Sequence, residues 1–239
     1  ILDVIDIIKK SENGKKYKVF AVVAPSISSQ FTYAKLGQVI RGLKEIGFHT
    51  VIEAALGADM VAYAEAKELA EKGFLTSSCC PAFVSYIEKT FPDMLPYVSH
   101  NLSPMGAIAR YLKEHEAPCK VVFIGPCVAK KSEFRLEKTG GAVDSALSFE
   151  EINAMFEARG VEPKELPEAE LTEGSGFGWR FAASGGVAGA VAQAMKEKGI
   201  DFDLKPLPCS GIEACRVALL KAGKGVLDAN FIEGMACEG

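Results

Sequence analysis

Three cysteine motifs hold the residues of this sequence best suited to metal or redox chemistry. Cys79 and Cys80 are adjacent and precede Pro81, Cys127 follows a Gly-Pro pair, and Cys237 stands in a Gly-Met-Ala-Cys-Glu-Gly stretch. A proline or glycine close to the cysteine in each motif indicates that these thiols lie on tight turns. Thiolates held on rigid turns are the usual ligands of iron–sulfur clusters, so the pattern predicts an iron–sulfur centre.

The alternative for these cysteines is that they are inert buried thiols, since unmodified cysteine is among the most buried residue types. Seven cysteines are too few for a disulfide scaffold in a chain of 239 residues, and the number is odd. No export signal is visible, which favours a reducing, cytoplasmic compartment in which clustered cysteines bind metal. For Cys119, Cys209 and Cys215, buried thiols are favoured over a second metal site.

Length and composition indicate an ordinary globular protein with one domain or two lobes. Hydrophobic residues make up 49% of the chain and charged residues 24%. The net charge of −4 gives no reason to expect nucleic-acid binding, and the apolar runs are too short to span a bilayer. The chain starts at Ile1 without Met and stops at Gly239 inside a motif, so we expect it to be part of a larger protein.

The first half of the chain alternates strand and helix patterns. Apolar runs predict strands, and helical spacing that ends at glycine or begins at Ser-Pro predicts helices. The predicted strands cover residues 19–24, 50–54, 74–77 and 119–125, and the predicted helices cover residues 31–46, 58–71 and 103–116. This alternation is typical of an α/β layered fold.

The second half repeats the pattern more loosely. Ser148 and Glu151 form a capping box that opens a helix ending at Gly160. Beyond it we predict a surface excursion at 161–178, strands at 179–182 and 226–232, and helices at 185–199 and 211–222. Each cysteine motif then follows a strand, and the carboxyl ends of strands are where α/β sheets bind ligands.

Taken together, the motifs resemble the catalytic domain of the iron-only (FeFe) hydrogenases over nearly the whole chain. The matching stretches fall in the family's order: Ala24-Pro25-Ser26, Leu56-Gly57-Ala58-Asp59, the double cysteine, Ser103-Pro104, Pro126-Cys127 with Lys130-Lys131 and Glu133, Ser184-Gly185-Gly186-Val187, and Met235-Ala236-Cys237. The resemblance implies an α/β fold of two lobes, each a mostly parallel sheet flanked by helices, with a metal-cluster site between them. The approximate lobes would be 1–125 and 126–239.

The resemblance also implies a cofactor, the six-iron H-cluster, in which a four-iron–four-sulfur cluster is joined to a two-iron unit. Cys80, Cys127 and Cys237 resemble three ligands of the four-iron cluster, and Cys79 resembles the thiol that passes protons to the two-iron unit. Lys130 resembles the lysine that donates a hydrogen bond to an iron cyanide. Pocket-lining positions match at Pro25, Ser26, Phe181 and Met235.

Glu65, Glu68 and Ser99 match the family's proton relay. The two glutamates are three residues apart on a predicted helix and therefore share a face. Carboxylate, hydroxyl and thiol groups in series can hand a proton along short hydrogen bonds. The alternative is an ordinary solvated helix face carrying Glu and Lys.

The implied function of the intact protein is reversible dihydrogen oxidation and proton reduction. Its implied partners are a ferredoxin or an N-terminal ferredoxin-like domain and hydrogenase maturation proteins, with dihydrogen and protons as substrates. The family continues after Gly239 with the cysteine that bridges the two iron units. We therefore expect this chain alone to be inactive, with its cofactor absent or incomplete.

Four departures from the family's catalytic prototype keep a second function open. Phe83 stands where the prototype has Trp, Leu102 where it has Lys, Met105 where it has Gln, and Gly125 where it has Met. Such changes are typical of divergent members suspected of sensing dihydrogen in signalling proteins. A hydrogenase-like iron–sulfur assembly factor is the other alternative, although Cys79 and Lys130 argue against it.

Overall fold

The structure is a computed structural model that describes residues 1–171 and 174–238. Its strands are β1 (Lys18–Val23), β2 (Thr50–Glu53), β3 (Leu75–Thr76), β4 (Cys119–Ile124), β5 (Ser145–Leu147), β6 (Pro206–Ser210) and β7 (Phe231–Met235). The helices are α1 (Leu2–Lys10), α2 (Ile27–Gln30), α3 (Leu36–Glu45), α4 (Ala54–Lys72), α5 (Pro81–Thr90), α6 (Pro104–His115), α7 (Lys130–Glu133), α8 (Phe149–Arg159), α9 (Gly176–Arg180), α10 (Gly186–Lys198) and α11 (Ile212–Gly223).

The chain divides into two compact units, and each unit is assembled from two separate stretches. Unit 1 comprises Ile1–Gly57 and Met105–Gly174, and unit 2 comprises Ala58–Pro104 and Ser175–Gly239. These units do not coincide with the expected continuous lobes at 1–125 and 126–239, because the chain leaves unit 1 along α4 and returns to it at α6.

Unit 1 contains a four-stranded parallel sheet in the order β2-β1-β4-β5. Its central strand β1 is buried from Val19 to Val23, as expected for a parallel strand covered on both faces. The core of the unit also contains buried side chains of α1, α3, α6 and α8. Strand β5, which is only three residues long, carries too short a pattern for sequence-based prediction.

The predicted capping box at the start of α8 is confirmed. The Ser148 hydroxyl accepts a hydrogen bond from the Glu151 backbone N–H at 3.3 Å, and a Glu151 carboxylate oxygen accepts one from the Ser148 N–H at 2.8 Å. The helix ends at Gly160, whose φ of 63° lies in the left-handed region that glycine adopts without strain. Local residue chemistry alone therefore sets both ends of this helix.

Unit 2 contains a three-stranded parallel sheet in the order β3-β7-β6. Successive residues of the central strand point to opposite faces. Phe231 packs in one apolar cluster with residues of α4 and α10, and Ile232 packs in another with residues of α5 and α11. The unit is therefore a helix–sheet–helix sandwich, and the predicted α/β class, with parallel sheets flanked by helices, is confirmed.

Unit 2 differs from the sequence-based expectation at two elements, one predicted wrongly and one missed. Residues 179–182 do not form a strand, because the Ser175 hydroxyl accepts hydrogen bonds from the N–H groups of Phe177 and Gly178 and opens α9 instead. Strand β6 was not predicted because it contains two prolines, Pro206 and Pro208. It lies at the sheet edge, where a missing N–H need not break the ladder.

Other element boundaries shift by a few residues. The helix predicted over 31–46 forms regularly only from Leu36, and the helix predicted from residue 58 already begins at Ala54. The strand predicted over 226–232 is found at Phe231–Met235. Among the described residues, no helix is both long enough and apolar enough to cross a membrane.

Candidate metal and proton-transfer site

The double cysteine lies where β3 runs into α5. Cys80 is the N-cap residue of α5, and Pro81 occupies the first helical turn, where its missing N–H is not needed. The N-terminus of a helix carries a partial positive charge that favours an anion such as a thiolate. Both Cys79 and Cys80 are partly exposed, so a ligand can reach them.

The backbone before the double cysteine is tied to the backbone before Cys237. The Ser77 hydroxyl, just after β3, accepts a hydrogen bond from the Gly234 N–H of β7 at 3.1 Å. The Gly211 N–H then donates to the carbonyl oxygens of Met235 at 2.9 Å and Cys237 at 2.8 Å. Within unit 2, hydrogen bonds therefore hold two of the three cysteine motifs at the carboxyl edge of one sheet.

The Phe83 ring packs directly on Gly234. A Cβ atom at Gly234 would lie only 2.2 Å from a carbon of this fully buried ring. By the sequence resemblance, the family prototype has Trp at position 83. In this chain Gly234 leaves the space that the Phe83 ring occupies. Phe83 is thus fully buried and in close contact with Gly234.

We expect Gly234→Ala to lower the free energy of unfolding by about 1–3 kcal/mol, because a new methyl group would overpack the contact with Phe83. Chemical denaturation measures this loss. Gly189→Ala is the matched control, since no atom lies within 4 Å of the added Cβ in that exposed helical position. In a double-mutant cycle, adding Phe83→Leu should recover part of the loss; strictly additive effects would contradict the contact.

The remaining predicted residues of unit 2 lie around these cysteines or on the same apolar cluster. Met235 is the last residue of β7 and is half-buried, two positions before Cys237. Phe181 follows α9 directly and packs, with Cys79, against the cluster that contains Ala62 and Ala66 of α4. These placements are compatible with residues that line a pocket.

In unit 1, Pro25, Ser26 and Cys127 follow the carboxyl ends of two neighbouring strands. The Ala24 N–H donates to the Ile124 carbonyl oxygen at 2.8 Å, so β1 and β4 end side by side. Cys127 is exposed. The nearby Gly125 has no room for a larger residue, since an added Cβ would lie 2.8 Å from the Phe123 ring.

Lys130 is held by a buried carboxylate. Its ammonium group lies 2.6 Å from an oxygen of Glu133, and the exposed fractions of the two side chains are 12% and 1%. An ammonium group has three donors, and the buried Glu133 carboxylate fixes the position of this one.

The thiolates fit an iron–sulfur cluster in chemical type. Soft sulfur donors on turns at strand ends suit iron, and the exposure of Cys80, Cys127 and Cys237 leaves them accessible. Cys80 and Cys237 belong to unit 2 and Cys127 to unit 1. Across the described ranges, no three His, Cys, Asp or Glu side chains are gathered closely enough to hold a metal ion. The assignment of Cys80, Cys127 and Cys237 as cluster ligands therefore stays a prediction.

Polar groups surround Glu68 on α4. One of its oxygens accepts from the Lys72 ammonium at 2.7 Å, and the other accepts from the Asn101 amide at 2.8 Å and the Ser99 hydroxyl at 3.3 Å. Glu68 and Ser99, predicted as neighbours in a relay, are therefore in hydrogen-bond contact. Ser99 itself is positioned by its N–H, which donates to the Thr76 carbonyl oxygen of β3 at 2.9 Å.

Glu65, one helical turn before Glu68, is fully buried, and neither of its oxygens has a hydrogen-bond partner among the described residues. Burial therefore raises the pKa of the Glu65 carboxyl from 4.5 to about 7, and the nearby Glu68 and Glu233 carboxylates add to the shift. The Ser99 hydroxyl and the Ser78 N–H act to lower this pKa, although neither is placed to form a hydrogen bond with Glu65. The solvated helix face considered from sequence is excluded for this residue.

Sequence reasoning missed Glu233, a buried carboxylate in β7. Its two oxygens accept hydrogen bonds from the N–H groups of Gly185 at 2.9 Å and Ala188 at 2.8 Å, at the start of α10. Burial still raises the pKa of Glu233 above its usual range. The available signal was a lone glutamate in the apolar strand Phe-Ile-Glu-Gly-Met.

Cys209 and Cys215 are buried, as the sequence favoured, and so is Cys119 of unit 1. Desolvation, reinforced by Cys209, raises the pKa of the Cys215 thiol to about 11, so it stays protonated near neutrality. Its sulfur donates to backbone carbonyl oxygens of Cys209 and Met235. These contacts support a structural role for both thiols.

Comparison with known proteins settles the family. The model for the iron only hydrogenase large subunit, C-terminal domain, matches residues 17–239. The chain belongs to this family. The resemblance inferred from the cysteine motifs is therefore confirmed.

Three proteins illustrate what this chain is similar to. The chain is 25% identical to iron hydrogenase 1 of Clostridium pasteurianum, over 85% of this chain and 41% of that protein. It is 27% identical to the periplasmic Fe hydrogenase large subunit of Nitratidesulfovibrio vulgaris, over 97% and 68%. It is 26% identical to the cytosolic Fe-S cluster assembly factor NAR1 of Kluyveromyces lactis, over 65% and 36%. The chain thus spans well under half of two of these relatives.

The fold is also that of a solved iron-only hydrogenase. FeFe-hydrogenase HydA1 from Chlamydomonas reinhardtii matches with a TM-score of 0.77 and 22% identity, over 99% of this chain and 81% of that one. At this identity the match shows the shared fold alone. The relatives named above are two hydrogenases and one Fe-S cluster assembly factor.

Proposed function

We propose that this chain is the catalytic part of an iron-only hydrogenase that reversibly oxidises dihydrogen and reduces protons. The observation that carries the proposal is Glu65, a fully buried carboxyl with a pKa of about 7. A general acid or base works best when its pKa lies near the working pH. A buried carboxyl that merely supported the fold would normally have hydrogen-bond partners, whereas this one has none in the described chain.

The cofactor in this proposal is the H-cluster. Cys80, Cys127 and Cys237 would bind its four-iron part, and Pro25, Ser26, Phe181 and Met235 would line the two-iron part. When bound, this group supplies the heterolysis of dihydrogen and the transfer of electrons. Lys130, fixed by Glu133, would donate a hydrogen bond to a small anionic ligand of the cluster.

The residues of unit 2 would carry the proton. In the oxidative direction the Cys79 sulfur would bind a new proton as its S–H proton passes to an ionised Glu65 oxygen, and the neutral and ionised forms of Glu65 are comparably populated near pH 7. The Ser99 hydroxyl, which donates to Glu68, can accept a proton on one side while releasing one on the other. Glu68 then holds the proton near the surface, and proton reduction runs through the same groups in reverse.

The electron partner and the compartment belong to the same proposal. A ferredoxin, or ferredoxin-like clusters elsewhere in the intact protein, would exchange electrons with the four-iron cluster, and maturation proteins would load the two-iron unit. A cytoplasmic location is proposed from the clustered thiols, which a reducing compartment preserves. Relatives are named from both the cytosol and the periplasm.

Hydrogen evolution from reduced viologen by the full-length, matured protein tests the proposal. We expect activity in the wild type and a loss of at least about a hundredfold in Cys79→Ala, because that substitution removes a proton-transfer group. Cys119→Ala is the matched control, since that buried thiol lies in unit 1 and donates to the Leu112 carbonyl oxygen.

Infrared spectra of the same samples separate the alternatives. Bands of iron-bound carbon monoxide and cyanide, with no hydrogen evolution, would favour the dihydrogen sensor suggested by Leu102, Met105 and Gly125. An iron–sulfur protein that lacks those bands after maturation would favour an assembly factor, the second candidate, which the similarity to NAR1 supports. Cys79 and Lys130 weigh against the assembly factor, because it carries no two-iron unit for them to serve.

A further inference from the structure

His100 lies at the outer end of the Glu68 network. Its ring nitrogen Nδ1 is 3.2 Å from Oε1 of Glu68. The His100 side chain is 76% exposed, whereas that of Glu68 is only 13% exposed. The imidazole therefore contacts both bulk water and an almost buried carboxylate.

The backbone fixes this histidine on Glu68. The His100 N–H lies 3.2 Å from each oxygen of the Glu68 carboxylate. Ser99 and Asn101, the residues on either side, also donate to that carboxylate. Three consecutive residues thus donate to one carboxylate, which holds the backbone of His100 beside Glu68.

The charged groups of α4 that face the ring are Glu68 and Lys72. The Lys72 ammonium lies 3.4 Å from Nδ1 of His100 and 2.7 Å from Oε1 of Glu68. A neutral ring can accept a hydrogen bond from Lys72 at Nδ1, whereas a protonated ring can donate from the same atom to Glu68. The contacts therefore serve both protonation states of His100.

We propose that His100 is the proton-exchange residue at the surface of this chain, loading and unloading Glu68 and, through Ser99, Glu65. In the inward direction a buffer acid protonates Nε2 of a neutral ring whose hydrogen is on Nδ1; a ring whose hydrogen is on Nε2 first exchanges to that tautomer through solvent. The Nδ1–H bond then breaks as an O–H bond forms at Oε1 of Glu68, which converts imidazolium and carboxylate into imidazole and carboxylic acid. No electrons move, and the outward direction reverses the step.

Two features make histidine suited to this position. Imidazole takes up and releases protons in the neutral range, where cellular buffers work. Glu65, at the inner end of the series, has a pKa of about 7, so it can both take up and release a proton near neutral pH. The use of this path in hydrogen chemistry rests on the proposed function; the exchange step itself does not.

A pH jump on the full-length protein purified without its metal cluster tests the exchange step directly. The infrared carboxyl band that disappears in Glu65→Gln identifies Glu65, and its rise after acidification gives the rate of protonation. We expect His100→Gln to slow this rise by at least about tenfold. Imidazole added to the buffer should restore the rate, because it replaces the missing exchange group.

His115→Gln is the matched control. His115 is also an exposed histidine, but it stacks on Tyr111 in unit 1 and its Nδ1 contacts only the Tyr111 carbonyl oxygen among the described groups. It should leave the protonation rate unchanged. An unchanged rate in His100→Gln, or slowing that imidazole does not relieve, would overturn the proposal.

Activity of the matured protein separates this inference from the proposed function. If His100→Gln evolves hydrogen more slowly and imidazole rescues it, both stand. If Cys79→Ala is inactive while His100→Gln matches the wild type, the hydrogenase assignment stands and the role of His100 fails. If no variant evolves hydrogen but His100→Gln still slows Glu65 protonation, the surface exchange step stands and the hydrogenase function fails.

Discussion

We expect the change in the free energy of unfolding caused by Glu65→Gln to be about 3 kcal/mol more favourable at alkaline pH than at pH 4. The figure follows from a pKa raised from 4.5 to about 7, since each tenfold change in proton affinity corresponds to about 1.4 kcal/mol. The raised pKa means that the folded protein binds the proton more tightly than the unfolded chain does. Wild-type stability from this group is complete below pH 4.5 and is lost as the pH rises through 7.

The measurement is urea denaturation of both proteins between pH 4 and pH 9. The difference in the free energy of unfolding should be constant at acid pH, rise across the range from 4.5 to 7, and level off above it. Glu71→Gln is the control on the same helix, since Glu71 is exposed and contacts Lys67 at the surface; it should not produce this rise. A flat difference for Glu65→Gln would mean that the carboxyl is solvated after all.

This result would bear on function because the protein keeps Glu65 although its ionised form destabilises the folded state. A buried carboxylate without hydrogen-bond partners lowers the free energy of unfolding above neutral pH. A glutamine or an apolar residue would remove the charge and with it this cost. Proton transfer needs a group that can exist in both forms at working pH. The stability cost and the proposed relay role therefore have one physical cause, the desolvation of Glu65.

Glu233→Ala is expected to lower the free energy of unfolding by about 3 kcal/mol at acid to neutral pH. It removes the acceptors of two backbone N–H groups at the start of α10, and each buried donor left without a partner costs about 1–3 kcal/mol. The N-cap residue of α10 is Gly185, which has no side chain to replace them. Glu233→Gln keeps one acceptor oxygen and should lose about half as much.

The pH dependence of the Glu233 effect follows from its raised pKa. The folded state favours the protonated form, so the stability from Glu233 is greatest at acid pH and declines as the pH rises through the raised pKa. The cost of Glu233→Ala should therefore be smaller at alkaline pH. The infrared carboxyl band of Glu65 should also titrate at lower pH in this variant, because the Glu233 charge helps to raise the pKa of Glu65.

Glu213→Ala is the control for this experiment, since Glu213 pairs with Arg216 on the surface of α11 and should change stability little. Equal losses in Glu233→Ala and Glu233→Gln would contradict the capping role. An unchanged Glu65 titration would show that the two carboxylates do not interact.

Patterns within a few residues were sufficient to predict the elements whose signals are local. The apolar run from Val19, the Ser148–Glu151 capping box and the Ser103-Pro104 helix start all lead to elements close to where they were predicted. Each of these signals acts between residues that are close in sequence, so distant parts of the chain have little influence on where the element forms. The order of the cysteine motifs likewise identified the family, because turns at strand ends carry their own residue signature.

Elements defined by their neighbours could not be predicted in this way. Strand β6 contains two prolines and forms because Phe231–Met235 of β7 lies beside it. The strand expected around Trp179 gives way to a helix once the Ser175 hydroxyl caps it, since two hydrogen bonds there outweigh weak strand propensity. The first outcome depends on a strand partner from another part of the chain, and the second on a local helix cap that hydrophobic periodicity and strand propensity do not take into account.

The sequence by itself determined the α/β class, the hydrogenase family and which cysteines, glutamates and lysine to consider, because those follow from residue type, order and local spacing. Only the tertiary structure decided that Glu65 is buried while Glu68 remains near the surface, that Glu233 caps α10, and that His100 lies against Glu68. Burial and pKa depend on what packs against a side chain from distant parts of the chain, and spacing along one helix contains no record of that.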